Sequence, residues 1–260
     1  MKRTFFKYQG TGNDFILFDD RDNRFDEKNE SQIQRLCNRR FGIGADGLML
    51  LRNEPGFDFR MVYFNSDGRP SSMCGNGGRC IARFAREIGA VHTNHLRFIA
   101  VDGPHEAVLS DETVKLKMND VNKIEAGDGF FYLNTGSPHY VRFSDDVPQL
   151  DVFSEGRAIR YNERFRNEGT NVNFVSRKDT GIFVRTYERG VEGETLSCGT
   201  GVTASALAAA IKGIATSEEK CMVHTPGGKL AVHFHRSGNR FSDIWLEGPA
   251  TCVFKGEIEL

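Results

Sequence analysis

The chain has 260 residues, 39% hydrophobic and 27% charged, the balance of a folded globular protein with room for one large domain or two of ordinary size. Its 34 Lys and Arg are scattered against 35 Asp and Glu, for a net charge of −1, so there is no basic stripe for nucleic acid. No apolar run approaches the ~20 residues of a membrane helix, and the start MKRTFFKYQG lacks the apolar segment of a secretory signal; the expectation is a cytoplasmic protein, with no membrane or nucleic-acid partner, whose six cysteines are reduced thiols.

Residues 4–6 and 15–19 cluster apolar side chains as strands do, around the tight turn Gly10-Thr11-Gly12-Asn13-Asp14. Residues 31–41 read as a helix capped by Ser31, with Ile33, Leu36, Cys37 and Phe41 on one face. Strands at 48–51 and 59–64 lead through the turn Asn65-Ser66-Asp67-Gly68 to Cys74-Gly75-Asn76-Gly77. A helix over 77–88, closed by Gly89, and strands near 97–101, 107–109 and 114–118 complete a first unit. The boundary is expected near 119–124, dividing the chain into residues 1–118 and 119–260, with the last strand packing on the first half. The acidic stretch 144–151 reads as an exposed connection. Strands at 171–176 and 182–187, a helix over 201–211 closed by Gly213, and strands at 221–225, 229–235 and 243–246 repeat the order. The second helix has no charge on any face, as a helix buried on all sides must.

The repeat is also written residue by residue. Cys74-Gly75-Asn76-Gly77 recurs 124 positions later as Cys198-Gly199-Thr200-Gly201, and Phe59, Tyr63, Ala82, Ala85, Gly89 and Gly103 recur in the same register as Phe183, Tyr187, Ala206, Ala209, Gly213 and Gly227. A gap-free match of this extent indicates a duplicated unit. The expected fold is α+β: two pseudo-symmetric domains, each a curved, mostly antiparallel sheet or barrel wrapped around a central helix whose N-terminal end lies at the cysteine. Two equivalent cysteines suggest one site with a sulfur on each side.

The motif has a definite chemistry. The first N–H groups of a helix lack internal partners and carry the positive end of the dipole. That setting lowers a thiol pKa from ~8.5 towards 3.5–7.5 and holds a carboxylate or phosphate, which glycine lets approach closely. A carboxylate clamped between two such ends puts its α-carbon between a base and an acid, and taking a proton from one face while returning one to the other inverts that carbon. The bland alternative, cysteine as a small buried hydrophobe, suits Cys37, Cys80, Cys221 and Cys252, which lack the glycines. Cys74 and Cys80 are spaced C-x5-C, which is no zinc pattern, and His233 and His235 share a strand face without a third ligand, so no metal is expected. Gly42-Ile43-Gly44-Ala45-Asp46-Gly47 matches G-x-G-x-x-G, but a helix precedes it and a strand follows, the reverse of a dinucleotide site. No Walker lysine follows a glycine-rich loop.

Seven segments in order, Gly10-Thr-Gly-Asn-Asp-Phe15, Gly42-Ile-Gly-Ala-Asp-Gly47, Phe64-Asn-Ser-Asp-Gly68, Met73-Cys-Gly-Asn-Gly77, Gly136-Ser-Pro-His139, Tyr187-Glu-Arg-Gly190 and Glu194-Thr-Leu-Ser-Cys-Gly-Thr-Gly201, resemble the diaminopimelate epimerase family over nearly the full length. The resemblance implies inversion of one stereocentre of diaminopimelate without pyridoxal phosphate or metal, interconverting the LL and meso forms. It makes Cys74 and Cys198 the paired acid and base, with His139 and Glu188 tuning them. It matches Gly75, Asn76, Gly199 and Thr200 to the amides that hold the reacting carboxylate, and Asn13, Asn65, Asn171, Glu188 and Arg189 to recognition of the far amino-acid end. The fork of Arg189 suits a distal carboxylate, and an ammonium needs acceptors such as Glu188 or Asn oxygens. Two positions depart from some members: Ser137, expected to bind substrate with shorter reach than the Asn found there, and Gly47, which offers only backbone where others have Gln. A homodimer is a family-level expectation. The alternatives are a proline-type racemase or related isomerase of the same architecture, which needs no Arg189 with Asn65 and Asn171, and a non-catalytic amino-acid-binding or redox protein in which Cys74 and Cys198 form a reversible disulfide.

Overall fold

Strands dominate the computed structural model, which describes residues 2–260, and among those residues four α-helices interrupt them. The chain divides into two compact units, one running to Leu116 and taking in Pro249–Leu260, the other Lys117–Gly248.

In the first unit, β1 (Lys2–Gly10) turns through Thr11 and Gly12 into antiparallel β2 (Asn13–Asp19). After α1 (Glu30–Cys37) comes β3 (Gly47–Arg52), parallel to β2, then antiparallel β4 (Phe59–Asn65). The helix α2 (Gly75–Glu87) leads to β5 (His95–Ala100), parallel to β4, and antiparallel β6 (Gly103–Leu109) and β7 (Thr113–Lys117) follow. In the second unit β8 (Ile124–Gly127), β9 (Phe130–Asn134) and β10 (Pro138–Phe143) form an antiparallel meander. After α3 (Val152–Arg160), β11 (Asn171–Lys178) runs parallel to β10 and β12 (Gly181–Glu188) antiparallel to β11. Short β13 (Gly193–Thr195) precedes α4 (Gly199–Ile211), and β14 (Lys220–Thr225) returns parallel to β12, ahead of antiparallel β15 (Gly228–Ser237) and β16 (Arg240–Pro249). Last, β17 (Thr251–Glu259) pairs antiparallel with β1.

Apart from the inserted β13, the two units have the same order and the same strand directions. From β1–β2 onward and from β9–β10 onward the pairings run antiparallel, parallel, antiparallel, parallel, antiparallel, antiparallel. The chain-terminal β17 stands on β1 as β8 stands on β9, so the first unit takes its outermost strand from the far end of the chain. Each unit wraps a helix. Residues 201–210 of α4 are all buried, against β10, β11, β12 and β14, as an uncharged helix must be. On α2, which packs on β1, β2 and β6, Cys80, Ile81, Ala82, Phe84 and Ala85 are buried, and so is Arg79.

Several boundaries differ from the sequence reading, each for a local reason. The first helix is capped by Asn29, whose side chain accepts from Gln32 N at 3.0 Å, and not by Ser31. It ends at Cys37 because the Asn38 side chain accepts from the amides of Arg40 and Phe41, both at 2.9 Å, and turns the chain outward. Phe41, expected on the buried face, is 81% exposed. The stretch 144–151 is not wholly exposed: Val147 is fully buried among Val152, Val172, Phe174 and Tyr187. Both motif helices start two residues earlier than expected, at Gly75 and Gly199, which makes Cys74 and Cys198 themselves the N-cap residues.

Candidate active site

Each cysteine has the extended backbone of an N-cap, φ −108° and ψ 136° at Cys74, φ −112° and ψ 113° at Cys198. Each carbonyl accepts the first helical bond, from Gly78 N at 2.7 Å and from Val202 N at 2.8 Å. The sulfur therefore leaves the chain beside the first-turn amides of Gly75 and Asn76, or of Gly199 and Thr200, which an α-helix leaves without intrahelical partners.

Around Cys74 the network is anchored by charge. Asn13, the first residue of β2, donates through Nδ2 to Asp46 Oδ2 at 2.7 Å, so its Oδ1 is turned to Cys74 Sγ at 3.6 Å and Asn76 Nδ2 at 3.4 Å. Arg39 holds Asp46 at 2.8 Å and forks onto Asp14 at 2.7 and 2.8 Å, and Lys7 meets Asp14 at 2.7 Å. Burial works against the Asp14 charge, but the hydrogen bonds and charges of Arg39 and Lys7 outweigh it and hold the carboxyl well below the usual range. Asn76 Oδ1 accepts from Arg79 Nη2 at 2.9 Å and Thr11 Oγ1 at 3.3 Å, and Arg79 Nη1 donates to Gly75 O at 3.2 Å. Burial pulls the Arg79 pKa down, while the neighbouring sulfurs of Cys80 and Cys74 favour its charge. Thr11 sits at φ 50°, a costly conformation for a β-branched residue, with its hydroxyl in this cluster. Asn65 lies outside the network, exposed at the end of β4. Opposite it, Gly47 has no room for a side chain: a Cβ would stand 2.5 Å from the Tyr63 ring and 2.6 Å from Phe64 O.

Around Cys198 hydroxyls, amides and an imidazole form the network. Thr200 Oγ1 is 3.5 Å from Cys198 Sγ and 3.1 Å from Ser137 Oγ. Ser137 Oγ also meets His139 Nε2 at 3.0 Å and Asn171 Nδ2 at 3.1 Å. His139 is fully buried, with Nδ1 3.1 Å from Asn173 Nδ2; burial first, then the Arg189 charge, pushes its pKa down to about 3, so the ring is neutral. Asn171 Oδ1 accepts from Arg189 N at 2.8 Å, and the exposed Arg189 guanidinium rests on Glu168 O at 2.8 Å. Glu188, half-buried at the end of β12, accepts from Glu192 N through its carbonyl at 2.8 Å.

Ser137, His139, Asn171, Thr200 and Cys198 thus come together in one unit, and Asn13, Asn76 and Cys74 in the other. The sequence reading missed the residues that orient them: Asp46, Arg79 and Thr11 behind Cys74, Asn173 and Thr186 behind His139. Asn173 had a signal, since it is two residues from Asn171 and so on the same strand face. Burial pushes Cys37 and Cys80 up to about 12 and Cys221 to about 11, which keeps those thiols inert. Within β15 the register shifts between His233 and His235, and His233 Nε2 meets Glu247 at 2.6 Å. Among the described residues no group of three or more His, Cys, Asp or Glu is placed to hold a metal ion.

Residues 5–124 and 131–253 match the model of the diaminopimelate epimerase family. The chain is 48% identical to a diaminopimelate epimerase of Flavobacterium psychrophilum over 97% of its own length and 99% of that protein's. With the enzyme of the same name from Chlorobaculum tepidum the identity is 44%, over 96% and 99%. A PhzF-family phenazine biosynthesis protein of Bacillus anthracis has the same fold, with a TM-score of 0.77 and 14% identity over all of both chains. So does a hydroxyproline epimerase of Agrobacterium vitis, solved with trans-4-hydroxy-L-proline, at 0.70 and 13% over 100% of this chain and 93% of that one.

Proposed function

The chain belongs to the diaminopimelate epimerase family, and from that premise we propose that Cys74 and Cys198 are the acid and base with which it inverts one stereocentre of diaminopimelate. The observation that carries this is the placement of both cysteines as N-caps of the central helices of two equivalent units. One sulfur, as thiolate, takes the α-proton; the other, as thiol, gives a proton to the opposite face, and the pair exchanges roles with the direction of reaction. The pair therefore titrates as a coupled system. First-turn amides of Gly75, Asn76, Gly199 and Thr200 hold the α-carboxylate and stabilise the charge that develops as the α-proton leaves, a preorganised field that costs no reorganisation in the transition state. Asn13, Asn65, Asn171, Glu188 and Arg189 take the distal ammonium and carboxylate. Ser137 stands with them in the proposed substrate-binding set, its hydroxyl also within hydrogen-bond reach of His139, Thr200 and Asn171. The proposal carries the family's expectation of a cytoplasmic homodimer, which sedimentation of the purified protein tests.

The deciding experiment incubates reduced protein in D2O with LL-diaminopimelate and, separately, with proline, following α-hydrogen exchange by NMR. Exchange with inversion of diaminopimelate alone is the expected result, lost in Cys74→Ala and in Cys198→Ala. Full turnover in either variant removes the two-cysteine mechanism, and exchange with proline alone replaces the substrate.

A further inference from the structure

The hydrogen bonds behind Cys198 have a direction that can be read from partners able to play only one part. Tyr140 O only accepts, so Asn173 turns Nδ2 to it at 3.1 Å, and the same amino group faces His139 Nδ1; Thr186 Oγ1 donates to Asn173 Oδ1 at 2.9 Å. With Nδ1 accepting and the ring neutral, the one imidazole proton is on Nε2 and is given to Ser137 Oγ. Arg189 N–H only donates, so Asn171 turns Oδ1 to it and gives Nδ2 to Ser137 Oγ and to Pro138 O at 3.2 Å. Ser137 Oγ receives twice, which sends its single hydrogen to Thr200 Oγ1. Thr200, having received, has its own hydrogen for Cys198 Sγ.

We propose that Ser137 and Thr200 are positioning residues of the epimerase reaction: together they deliver a one-way hydrogen bond to Cys198 Sγ that favours its thiolate. The proposal rests on the acid–base reading of Cys198. His139 anchors the polarity and shuttles no proton, since its Nδ1 is occupied by Asn173 and its Nε2–H is committed to Ser137. The polarity at Cys74 is the reverse: Asp46 turns a carbonyl oxygen, Asn13 Oδ1, towards that sulfur, so a thiol donates there. Arg79 lies beside Cys74, and Arg189, just past the end of β12, sets its charge on His139 in the Cys198 network.

The test is the pH profile of iodoacetamide alkylation, followed for each cysteine separately by peptide mass spectrometry; the midpoint reads ionisation whatever the access. Thr200→Val keeps the shape and removes the donor, and is expected to raise the Cys198 midpoint by about one to two pH units, the size of one hydrogen bond to a charged acceptor. Thr200→Ser should restore it, Ser137→Ala should raise it by less, and the Cys74 midpoint, coupled to it, should hold or fall but not rise. Ser137→Ala leaves α4 untouched and carries the same test where Thr200→Val fails to fold. An unmoved Cys198 midpoint in the folded variants, or Thr200→Ser behaving as Thr200→Val, overturns the relay. Full α-hydrogen exchange in Cys198→Ala instead overturns the acid–base reading, and the two failures are separate because alkylation needs no turnover.

Discussion

Replacing Gly201 by Ala adds one methyl group at the third residue of α4, and the structure says what it meets. The new Cβ would stand 2.4 Å from Asn173 Oδ1 and 3.3 Å from His139 Cε1, so something must yield by about 1 Å, since heavy atoms in contact rest ≈ 3.5 Å or more apart. Asn173 cannot swing away, because Thr186, Tyr140 and His139 hold both ends of its amide. The helix start must therefore move, taking Cys198 and its amides with it. Overpacking of this kind costs about 1–3 kcal/mol, or about 2–12 °C in melting temperature at ~2–4 °C per kcal/mol for a protein of this size, less up to about 1 kcal/mol that Ala regains as the better helix former. Displacement of a catalytic group by about 1 Å costs turnover on the order of 10²-fold. Calorimetry and the diaminopimelate exchange assay read the two effects. Gly193→Ala is the control, since no atom lies within 4 Å of its added Cβ. The equivalent Gly77→Ala should be milder than Gly201→Ala, because its Cβ meets Met49 Cε at 2.3 Å, the free end of a flexible side chain. Wild-type melting and turnover in Gly201→Ala would refute the idea that Asn173 and His139 set the position of the helix.

His139 makes stability depend on pH in a predictable direction. Its folded pKa of about 3 lies below the unfolded value of ~6.5, so the unfolded chain binds a proton that the native state refuses, and stability is full above the unfolded value and lost as pH falls from there towards the folded one. Urea titrations should show about 2 kcal/mol lost to this residue by pH ~5, a slope that His139→Gln lacks. In the first unit, the fully buried Asp20 carboxylate takes Arg52 Nε at 2.8 Å, Arg3 Nη1 at 3.2 Å and the amides of Phe25 and Arg24 at 2.9 and 3.0 Å. Asp20→Ala removes the carboxylate shared by two largely buried guanidiniums, leaving Arg3 with Asp22 and Arg52 with Glu27, and strands the two amides; it should cost about 1–3 kcal/mol in chemical denaturation, more than Asp20→Asn, which keeps an acceptor for the amides.

What the sequence made legible follows the range of the interactions involved. The duplication, the two cysteines and the burial of α4 could be read because each is written in contiguous residues: a fixed spacing, a motif, eleven uncharged positions in a row from Gly201 to Ile211. The early start of both motif helices was hidden by glycine, whose poor helix propensity argues against the first turn that the fold imposes. The strands β8, β9 and β10 pair locally through short turns and went unread although Asp128-Gly129 is a hairpin signal, while the helix α3 went unread because its partners are distant: Val152 and Tyr187 meet only in the folded core. The neighbourhood of Ser137 was legible, but the partners of its hydroxyl were not. Its sequence context supports a substrate ligand, and only the folded structure brings His139, Asn171 and Thr200 together on the same oxygen.

The repeat also shows how a symmetric scaffold yields unequal sulfurs. The spacing that relates Cys74 to Cys198 relates Asn13 to Ser137, Asn76 to Thr200 and Arg79 to Thr203. The carbonyl of the first helical residue is satisfied in both units, by Arg79 Nη1 on Gly75 O at 3.2 Å and by Thr203 Oγ1 on Gly199 O at 3.0 Å, so a buried cation in one unit has a neutral hydroxyl as its counterpart in the other. At the next pair, Asn13 offers Cys74 a carbonyl oxygen directly, while Ser137 reaches Cys198 through the Thr200 hydroxyl. Two coupled thiols can share one proton even in like surroundings, and unlike surroundings set which of them holds it at rest. Phe15 to His139, Gly47 to Asn171 and Met49 to Asn173 are further replacements at the same spacing, while the helix start, the glycines and the strand order that place each sulfur are left as they were. A charge fixed behind Cys74 and a chain of neutral donors behind Cys198 also respond differently to salt and to pH, so the two thiols can be tuned apart without moving either.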